Sequence, residues 1–408
     1  MKLLHTSDWH LGRSLYDKKR YDESESFLKW LAEFISSEKI SLLLVAGDVF
    51  DSSTPSNKAQ ELYYGFLARI RETSCSHVVI TGGNHDSPTF LDAPKSILGA
   101  LQIKVIGAIT GNPADEIYPV KDCEGNIMAI VCAVPFLRDR DIRTVEPGES
   151  PNDKTRKLKE NIAGHYREVF TEAVKLQDGN IKLPIIGMGH LFTRDARTTE
   201  GDGVRELYIG SAAHVDEKDI SEGFDYMALG HLHVAQVAVG SEKVRYSGSP
   251  LPMGFAEAGQ KKKVIVADFS GDKPAISDHD IPCFQELIRI TGDMDAITGN
   301  INELKEKGSN AWLEIEVTSQ TDAAAITSHL EELLKDSRLE ILRIRNRSIT
   351  ASVLTPVAGN ETLEALEDRD VFKRCLEASE VPPEEHEMLM STYDEAIRTM
   401  QAADVNAE

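Results

Sequence analysis

The 408-residue sequence has no apolar run approaching the roughly 20 residues that span a bilayer, which excludes a helical membrane anchor. Its start, Lys2-Leu3-Leu4-His5, runs straight into polar residues and does not read as a signal peptide. Cysteine is scarce. The five (Cys75, Cys123, Cys132, Cys283, Cys375) never fall in Cys-x-x-Cys spacing. Reduced core thiols in the cytoplasm are therefore expected, rather than a disulfide or zinc framework. There is no Gly-x-x-x-x-Gly-Lys-Ser/Thr loop, so any ATP dependence must come from a partner. Basic residues are in deficit: 45 Lys and Arg against 67 Asp and Glu leave a net charge of −22, which argues against a plain basic nucleic-acid binder. The deficit is uneven, since residues 357–408 carry 14 acidic and 4 basic residues. A pair of divalent ions would add four positive charges and change the sign locally, so DNA is not excluded.

What the chain does have is one pattern, repeated. Lys2-Leu3-Leu4-His5-Thr6-Ser7-Asp8-Trp9-His10 reads as a short apolar strand stopping on an aspartate and a histidine. Strand alternation puts Asp8 and His10 on the same side. Ser41–Ala46, a continuous apolar run typical of a strand buried on both faces, ends in Gly47-Asp48-Val49-Phe50-Asp51. His77–Ile80 leads into Gly82-Gly83-Asn84-His85-Asp86, Leu183–Met188 into Gly189-His190, and Tyr226–Leu229 into Gly230-His231-Leu232-His233. Candidate metal ligands are thus Asp8, His10, Asp48, Asn84, His190, His231 and His233. The glycines before four of them are expected to let the backbone turn close to an ion. Seven oxygen and nitrogen donors suit two hexacoordinate divalent ions better than one, with Asp48 bridging them at about 3.5–4 Å. Mixed carboxylate, amide and imidazole ligands favour Mn²⁺ or Fe²⁺, with Zn²⁺ also admitted.

At this length two or three domains are expected. Between the apolar runs lie amphipathic segments, Tyr21–Lys39 and Ser56–Glu72, and strand–helix–strand order implies crossovers and a parallel arrangement. Polar clusters then fall outside the carboxyl ends of the strands, where α/β sheets bind ligands. Val244–Gly248 and Lys263–Phe269 read as antiparallel strands closing a second sheet, and the first domain is expected to cover 1–275. Residues 280–350 alternate strand and helix without metal-type residues and read as a small α+β module. A linker is expected at Leu354–Gly359, then acidic helices within 360–405, too small to bury themselves alone.

The five motifs, in this order, resemble those of the calcineurin-like metallophosphoesterases. The wording His5-Thr6-Ser7-Asp8-Trp9-His10-Leu11-Gly12, Ala46-Gly47-Asp48-Val49-Phe50-Asp51 and Gly248-Ser249-Pro250 is similar, within that class, to the Mre-eleven-like nucleases of double-strand-break repair. The resemblance implies a four-layer α/β fold, two mixed sheets flanked by helices, with a small α+β capping domain that selects DNA and a C-terminal helical segment. It implies a two-metal phosphodiester hydrolase, most simply Mn²⁺-dependent, acting as double-strand exonuclease and single-strand or hairpin endonuclease on ends, hairpins and palindromes. Asp8, His10, Asp48 and His233 would hold one ion, and Asp48, Asn84, His190 and His231 the other. His85 would be catalytic, stabilising the transition state or protonating the leaving 3′ oxygen, with Asp86 orienting its ring. Asp51 stands where some relatives have a histidine and is expected to give support from behind. The implied partners are DNA and an ATPase carrying a coiled coil, two copies of each chain, with a homodimer through the nuclease domain; Tyr16, Tyr21, Tyr63 and Phe66 are the candidate dimer face.

Two other readings use the same residues: a stand-alone phosphodiesterase on small molecules, against which the long C-terminal half argues, and a degenerate scaffold, against which the complete ligand set argues. His5 is expected to be a hydrogen-bonded core histidine. His77, His165, His214, His279, His329 and His386 are expected at the surface. Lys261-Lys262-Lys263 is expected to be a solvated strand start, and Arg138, Arg140 and Arg143 are either DNA contacts or simply exposed.

Overall fold

The computed structural model describes residues 1–142, 150–177, 182–193, 196, 215–238, 240–271, 273–319, 323–346, 368–378 and 386–395. Arg143, His214, the expected linker at Leu354–Gly359 and parts of the two expected C-terminal helices lie outside them. The chain divides into two units, Met1–Glu286 and Leu287–Glu408.

The first unit begins with β1 (Lys2–Thr6), a short hairpin of β2 (Ser14–Leu15) and β3 (Lys18–Lys19), α1 (Tyr21–Glu38), β4 (Leu42–Ala46), α2 (Asn57–Ile70), β5 (His77–Thr81), α3 (Pro88–Asp92), α4 (Lys95–Ala100) and β6 (Ile103–Ile106). It continues with β7 (Ile117–Lys121), β8 (Ile127–Ala133), α5 (Asp139–Ile142), α6 (Pro151–Val174), β9 (Ile185–His190), α7 (Glu217–Ser221), β10 (Tyr226–Gly230), β11 (Gln236–Val237), β12 (Val244–Tyr246), β13 (Lys263–Asp268) and β14 (Ala275–Asp280). Two six-stranded sheets result, in the orders β14-β13-β1-β4-β5-β6 and β11-β12-β10-β9-β8-β7.

The sheets pack face to face. Leu3, Leu42, Leu44 and Ala46 of the first meet Val131, Ala133, Ile186, Met188 and Ala228 of the second in one buried cluster. The alternate residues Leu4, Leu43 and Val45 point the other way, under Phe27, Leu31 and Ile35 of α1 and Tyr63, Phe66 and Leu67 of α2. This is why β4 is apolar throughout: both of its faces are covered. On the far side, Ile130, Cys132 and Ile185 lie under Ile162, Tyr166 and Val169 of α6. The order of layers is helix, sheet, sheet, helix. Ser56 starts α2 by accepting the Ala59 amide on its hydroxyl (3.2 Å). Lys39 ends α1 in the left-handed conformation, φ 55°.

Two strands sit differently from expectation. β12 pairs parallel to β10, whereas β13 pairs antiparallel to β1 in the other sheet. They do not close one sheet together. β14 extends the first sheet along β13, which carries the first unit to Glu286, past residue 275. Tyr63 and Phe66 are 1% and 2% exposed in the core, so they cannot form a dimer face. His77 is buried, its Nε2 donating to the Lys121 carbonyl (2.7 Å) and its Nδ1 pairing with Tyr118 Oη (2.8 Å), rather than lying at the surface. Cys75 and Cys132 are buried free thiols, but Cys123 and Cys283 are exposed ones.

The second unit opens with β15 (Leu287–Gly292), α8 (Met294–Glu306), β16 (Trp312–Val317), α9 (Ala323–Leu334) and β17 (Glu340–Asn346). All three strands are parallel, in the order β15-β16-β17, so α8 and α9 are the crossovers. Ile290, Leu313, Ile315 and Val317 pack against Ile297, Ile301, Ile326 and Leu330 of these helices. Glu314 and Arg289 pair at 2.5 Å between neighbouring strands. Beyond them, Phe372 in the helix Asp368–Ala378 stacks on Tyr393 at 4.2 Å, and Arg369 pairs with Asp394 at 3.2 Å. Among the described residues, no helix is long and apolar enough to cross a membrane.

Candidate metal centre

The chain leaves β1, β4 and β5 of the first sheet and β9 and β10 of the second at one shared end, and every sequence-derived ligand lies there. Asp8 and His10 follow β1, Asp48 follows β4, and Asn84 and His85 follow β5. His190 closes β9, and His231 and His233 follow β10. Their grouping does not come from strand alternation, because β1 ends at Thr6. Asp8 (φ 53°) and His10 (φ 45°) are in left-handed turns, as are Asp48 (φ 49°) and His231 (φ 94°). Backbone bonds lock these turns: the Asp8 amide donates to Gly47 O and the His10 amide to Asp48 O, both at 3.0 Å.

Among the described residues three groups of donor atoms converge, Asp8–His10–His233, Asp48–His190–His231 and His10–Asp51–His85, each within 4.8 Å. His10 Nε2 and His233 Nε2 face each other at 3.2 Å. Asn84 Oδ1 lies 3.0 Å from His190 Nε2 and 3.1 Å from His231 Nδ1. Asp48 stands between the first two groups: its Oδ2 is 3.3 Å from His190 Nε2 and 3.7 Å from His10 Nε2. Neither approach is a directed hydrogen bond, and Asp48 Oδ2 and His231 Nε2 are buried without one. Buried lone pairs that converge this closely are costly unless a proton, as on His190, or a cation shares them. The oxygen and nitrogen set therefore fits hard or borderline divalent ions.

The remaining atoms of these side chains are tied back. His190 Nδ1 donates to Ala46 O (3.0 Å), which leaves Nε2 for the centre. Asp8 accepts the His231 amide (2.9 Å) and the Ser7 hydroxyl (2.5 Å), and Ser7 reaches on to Ser247 (2.8 Å). Burial pushes the Asp8 carboxyl up to about 6, with Asp48 adding to the rise. Burial also acts to raise Asp48, but His190 and His10 outweigh it and hold that carboxyl well below its usual range. Burial lowers His190, but Asp48 and Asp8 raise it more, to about 9. His231 is pushed far down by burial and by His190.

Glycines serve a purpose beyond the one expected. A Cβ on Gly83 would collide with Asp48 Oδ1 and its amide, and one on Gly47 (φ +85°) with the His190 ring. They make room for neighbouring donor side chains, and Gly47 also turns the backbone at positive φ as expected.

His85 sits beside His10, ring centroids 4.8 Å apart. Its amide donates to Asp48 Oδ1 (2.9 Å), and its Nδ1 pairs with the Asp51 carbonyl (2.8 Å). Asp86 does not orient this ring. Its carboxylate accepts the amides of Val49, Phe50 and Gly83 at 2.9–3.1 Å, binding the β4 and β5 loops together. The residue aligning His85 is Asp51, through its backbone. The Asp51 side chain meets His10 Nδ1 (3.3 Å) and Arg13 (3.2 Å). Arg138 donates to the Asp86 carbonyl at 3.2 Å. His5 is the core histidine expected, paired with Tyr226 Oη (2.9 Å) and lowered to about 3 by burial.

Residues with no sequence signal also support the site. Lys262 is buried and donates to the His233 carbonyl at 3.0 Å, while its neighbours pair outward, Lys261 with Asp280 and Lys263 with Asp278. The three lysines are not one solvated run. Arg20, buried with Glu23 (2.6 Å), holds the Pro252 carbonyl. Only the fold reveals either role.

Clusters of candidate cation ligands at the carboxyl edge of two stacked sheets point to a class, the metallophosphoesterases. The family model described as calcineurin-like phosphoesterase matches residues 1–235, more than half of the chain, and the chain belongs to that family. A second model, SbcD_C, described as type 5 capsule protein repressor C-terminal domain, matches residues 283–380. The chain is 34% identical over 403 residues to SbcD, the D component of nuclease SbcCD, of Escherichia coli (strain K12), covering 98% of each. It is 35% identical over 278 residues to the Rhodobacter capsulatus SbcD, covering 66% of this chain and 67% of that one. The Bacillus subtilis SbcD is 28% identical over 341 residues, 78% of this chain and 79% of its own. Among the phosphoesterases the chain thus belongs to the SbcD family. It is a phosphodiester hydrolase, and its family uses divalent metal ions.

Proposed function

We propose that this chain is the DNA nuclease of an SbcCD-type complex. It would cut double-strand ends exonucleolytically and hairpins and single strands endonucleolytically, in repair and recombination. An SbcC-type ATPase would supply ATP hydrolysis, two copies of each chain assembling together. The observation that carries the reading is Asp48, one carboxylate between two groups of nitrogen donors with His85 alongside. Asp8, His10, Asp48 and His233 would hold one ion, and Asp48, Asn84, His190 and His231 the other, the donor set suiting Mn²⁺ or Fe²⁺ and admitting Zn²⁺.

When bound, the ions would activate water and neutralise the phosphodiester charge. The chain's own residues do the rest. Asp48 keeps the two donor groups in register. His190 is fixed in one tautomer by the Ala46 carbonyl. His85, anchored through Nδ1 at Asp51, would use Nε2 to hydrogen-bond the phosphate or pass a proton to the departing 3′ oxygen. The module at 280–350 would select DNA, and the segment 360–405 would bind the ATPase. Similarity to the Escherichia coli SbcD over 98% of both chains supports a macromolecular substrate over a small one.

The test is Mn²⁺-dependent cleavage of labelled hairpin DNA beside turnover of a chromogenic phosphodiester, each with and without the ATPase partner and ATP. Hairpin cleavage far exceeding small-diester turnover, and gaining ATP dependence with the partner, is the expected result. Efficient small-diester turnover with intact hairpin would overturn the reading.

A further inference from the structure

Lys262 is the one buried lysine of its triplet, 7% exposed. Its ammonium donates to the His233 carbonyl (3.0 Å) and Ser249 Oγ (3.1 Å), and forms a short ion pair with Glu257. Glu257 in turn accepts the Met253 amide at 2.9 Å. The His233 carbonyl also receives the Ser249 amide (3.1 Å), while the Ser249 hydroxyl gives its proton to the Leu251 carbonyl (2.9 Å). Two N–H donors therefore meet on one carbonyl of a residue whose ring faces His10 at 3.2 Å. The backbone there is closely packed: Gly248, at φ +74°, has no room for a Cβ against His233 O and Ala235 N.

A buried ion pair is poor evidence for stability, since desolvating two charges costs about what their attraction returns, and apolar residues of similar volume often serve as well. Here the ammonium has a second use. Its charge-assisted bond fixes the peptide that aims the His233 imidazole. The segment after β12, to which Ser249 and Glu257 belong, has a second anchor in Arg20 on the Pro252 carbonyl, so it keeps one hold when Lys262 is lost.

We infer that Lys262 is a positioning residue for one of the two metal ions, acting through the His233 carbonyl rather than as a counter-ion for Glu257. This rests on the metal reading above. It predicts that the ion held by Asp8, His10, Asp48 and His233 depends on Lys262, while the ion held by Asp48, Asn84, His190 and His231 does not.

The experiment measures Mn²⁺ binding to the full chain by titration calorimetry and by the exchange-coupled two-manganese signal in electron paramagnetic resonance, beside thermal melting. Wild type, K262M and the double variant E257Q/K262M are compared. Outer-shell partners of a metal ligand are worth 10–100-fold in affinity. K262M is expected to bind one ion as wild type does and the second at least tenfold more weakly, losing the coupled signal. The double variant, with no orphaned carboxylate, is expected to recover melting temperature but not the second ion. Two ions bound normally by K262M, or the second ion regained by the double variant, overturns the inference. Fewer than two ions on wild type overturns the metal reading instead.

Discussion

His85 and Asp51 divide a task that the sequence assigned to His85 and Asp86. The imidazole is held by a backbone carbonyl, so it tolerates change in the Asp51 side chain better than change in itself. H85A is expected to lose roughly 10²–10⁴-fold in cleavage rate, the range for a positioned acid or base, with both Mn²⁺ ions retained. D51N, which keeps the carbonyl, is expected to lose far less. Cleavage assays with metal analysis of the same preparations check this, and loss of an ion in H85A would make it a ligand instead. That the candidate ligands would meet in one place was legible, because each follows an apolar run and polar strand ends are conspicuous. Their conformations were not. Asp8, His10, Asp48 and His231 lie at positive φ, which no spacing encodes; Asp and His are among the side chains that tolerate it, and the backbone bonds between the β1 and β4 loops enforce it. Lys262 and Arg20 were invisible because the carbonyls they hold lie 29 and 232 residues away in sequence.

At the scale of elements, the strands that carry the site were readable because burial on both faces leaves a continuous apolar run, as in Leu42–Ala46. The outer elements were not. β12 is three residues long and β13 opens on a lysine, so which sheet each joins depends on the neighbour that offers a free edge, a tertiary choice that local pattern does not record. The stacked sheets explain what the site stands on. Leu44 is fully buried between them, and L44A is expected to cost about 2–5 kcal/mol in denaturant unfolding, through lost burial and a residual cavity. The opposite sign is expected on α2. Gly65 is helical with open space where a Cβ would sit, so G65A should stabilise by about 0.5–1 kcal/mol. A destabilised G65A would mean that this face of α2 is covered in the assembled protein.

For the whole molecule, the net charge of −22 sets a background in which a phosphodiester is repelled until cations are bound. The same cations reverse a pH dependence built into the centre. Without them, His190 titrates near about 9, and Asp8 near about 6. Both are raised above their ordinary values of 6.5 and 3.8, so the folded protein keeps protons that the unfolded chain has lost. The stability each contributes is complete below the ordinary value and disappears as pH climbs through the raised one. From about pH 4 to 6 the loss through Asp8 is opposed by His5 and His231, whose lowered values favour the folded chain as pH climbs toward 6.5, so net weakening of the metal-free protein is expected from about 6.5 to 9, through His190. Asp48, held low, opposes this only below its ordinary value of 3.8. A cation taking His190 Nε2 must displace its proton, so apparent affinity should climb up to roughly tenfold per pH unit until His190 is deprotonated. In melting curves with and without Mn²⁺, the stabilisation by metal is expected to be several degrees larger near pH 8.5 than near pH 6.5, with proton release on binding seen by calorimetry in buffers of different ionisation enthalpy. A metal-induced shift that stays level or shrinks across that range would mean that no proton leaves His190, and would remove it from the ligand set.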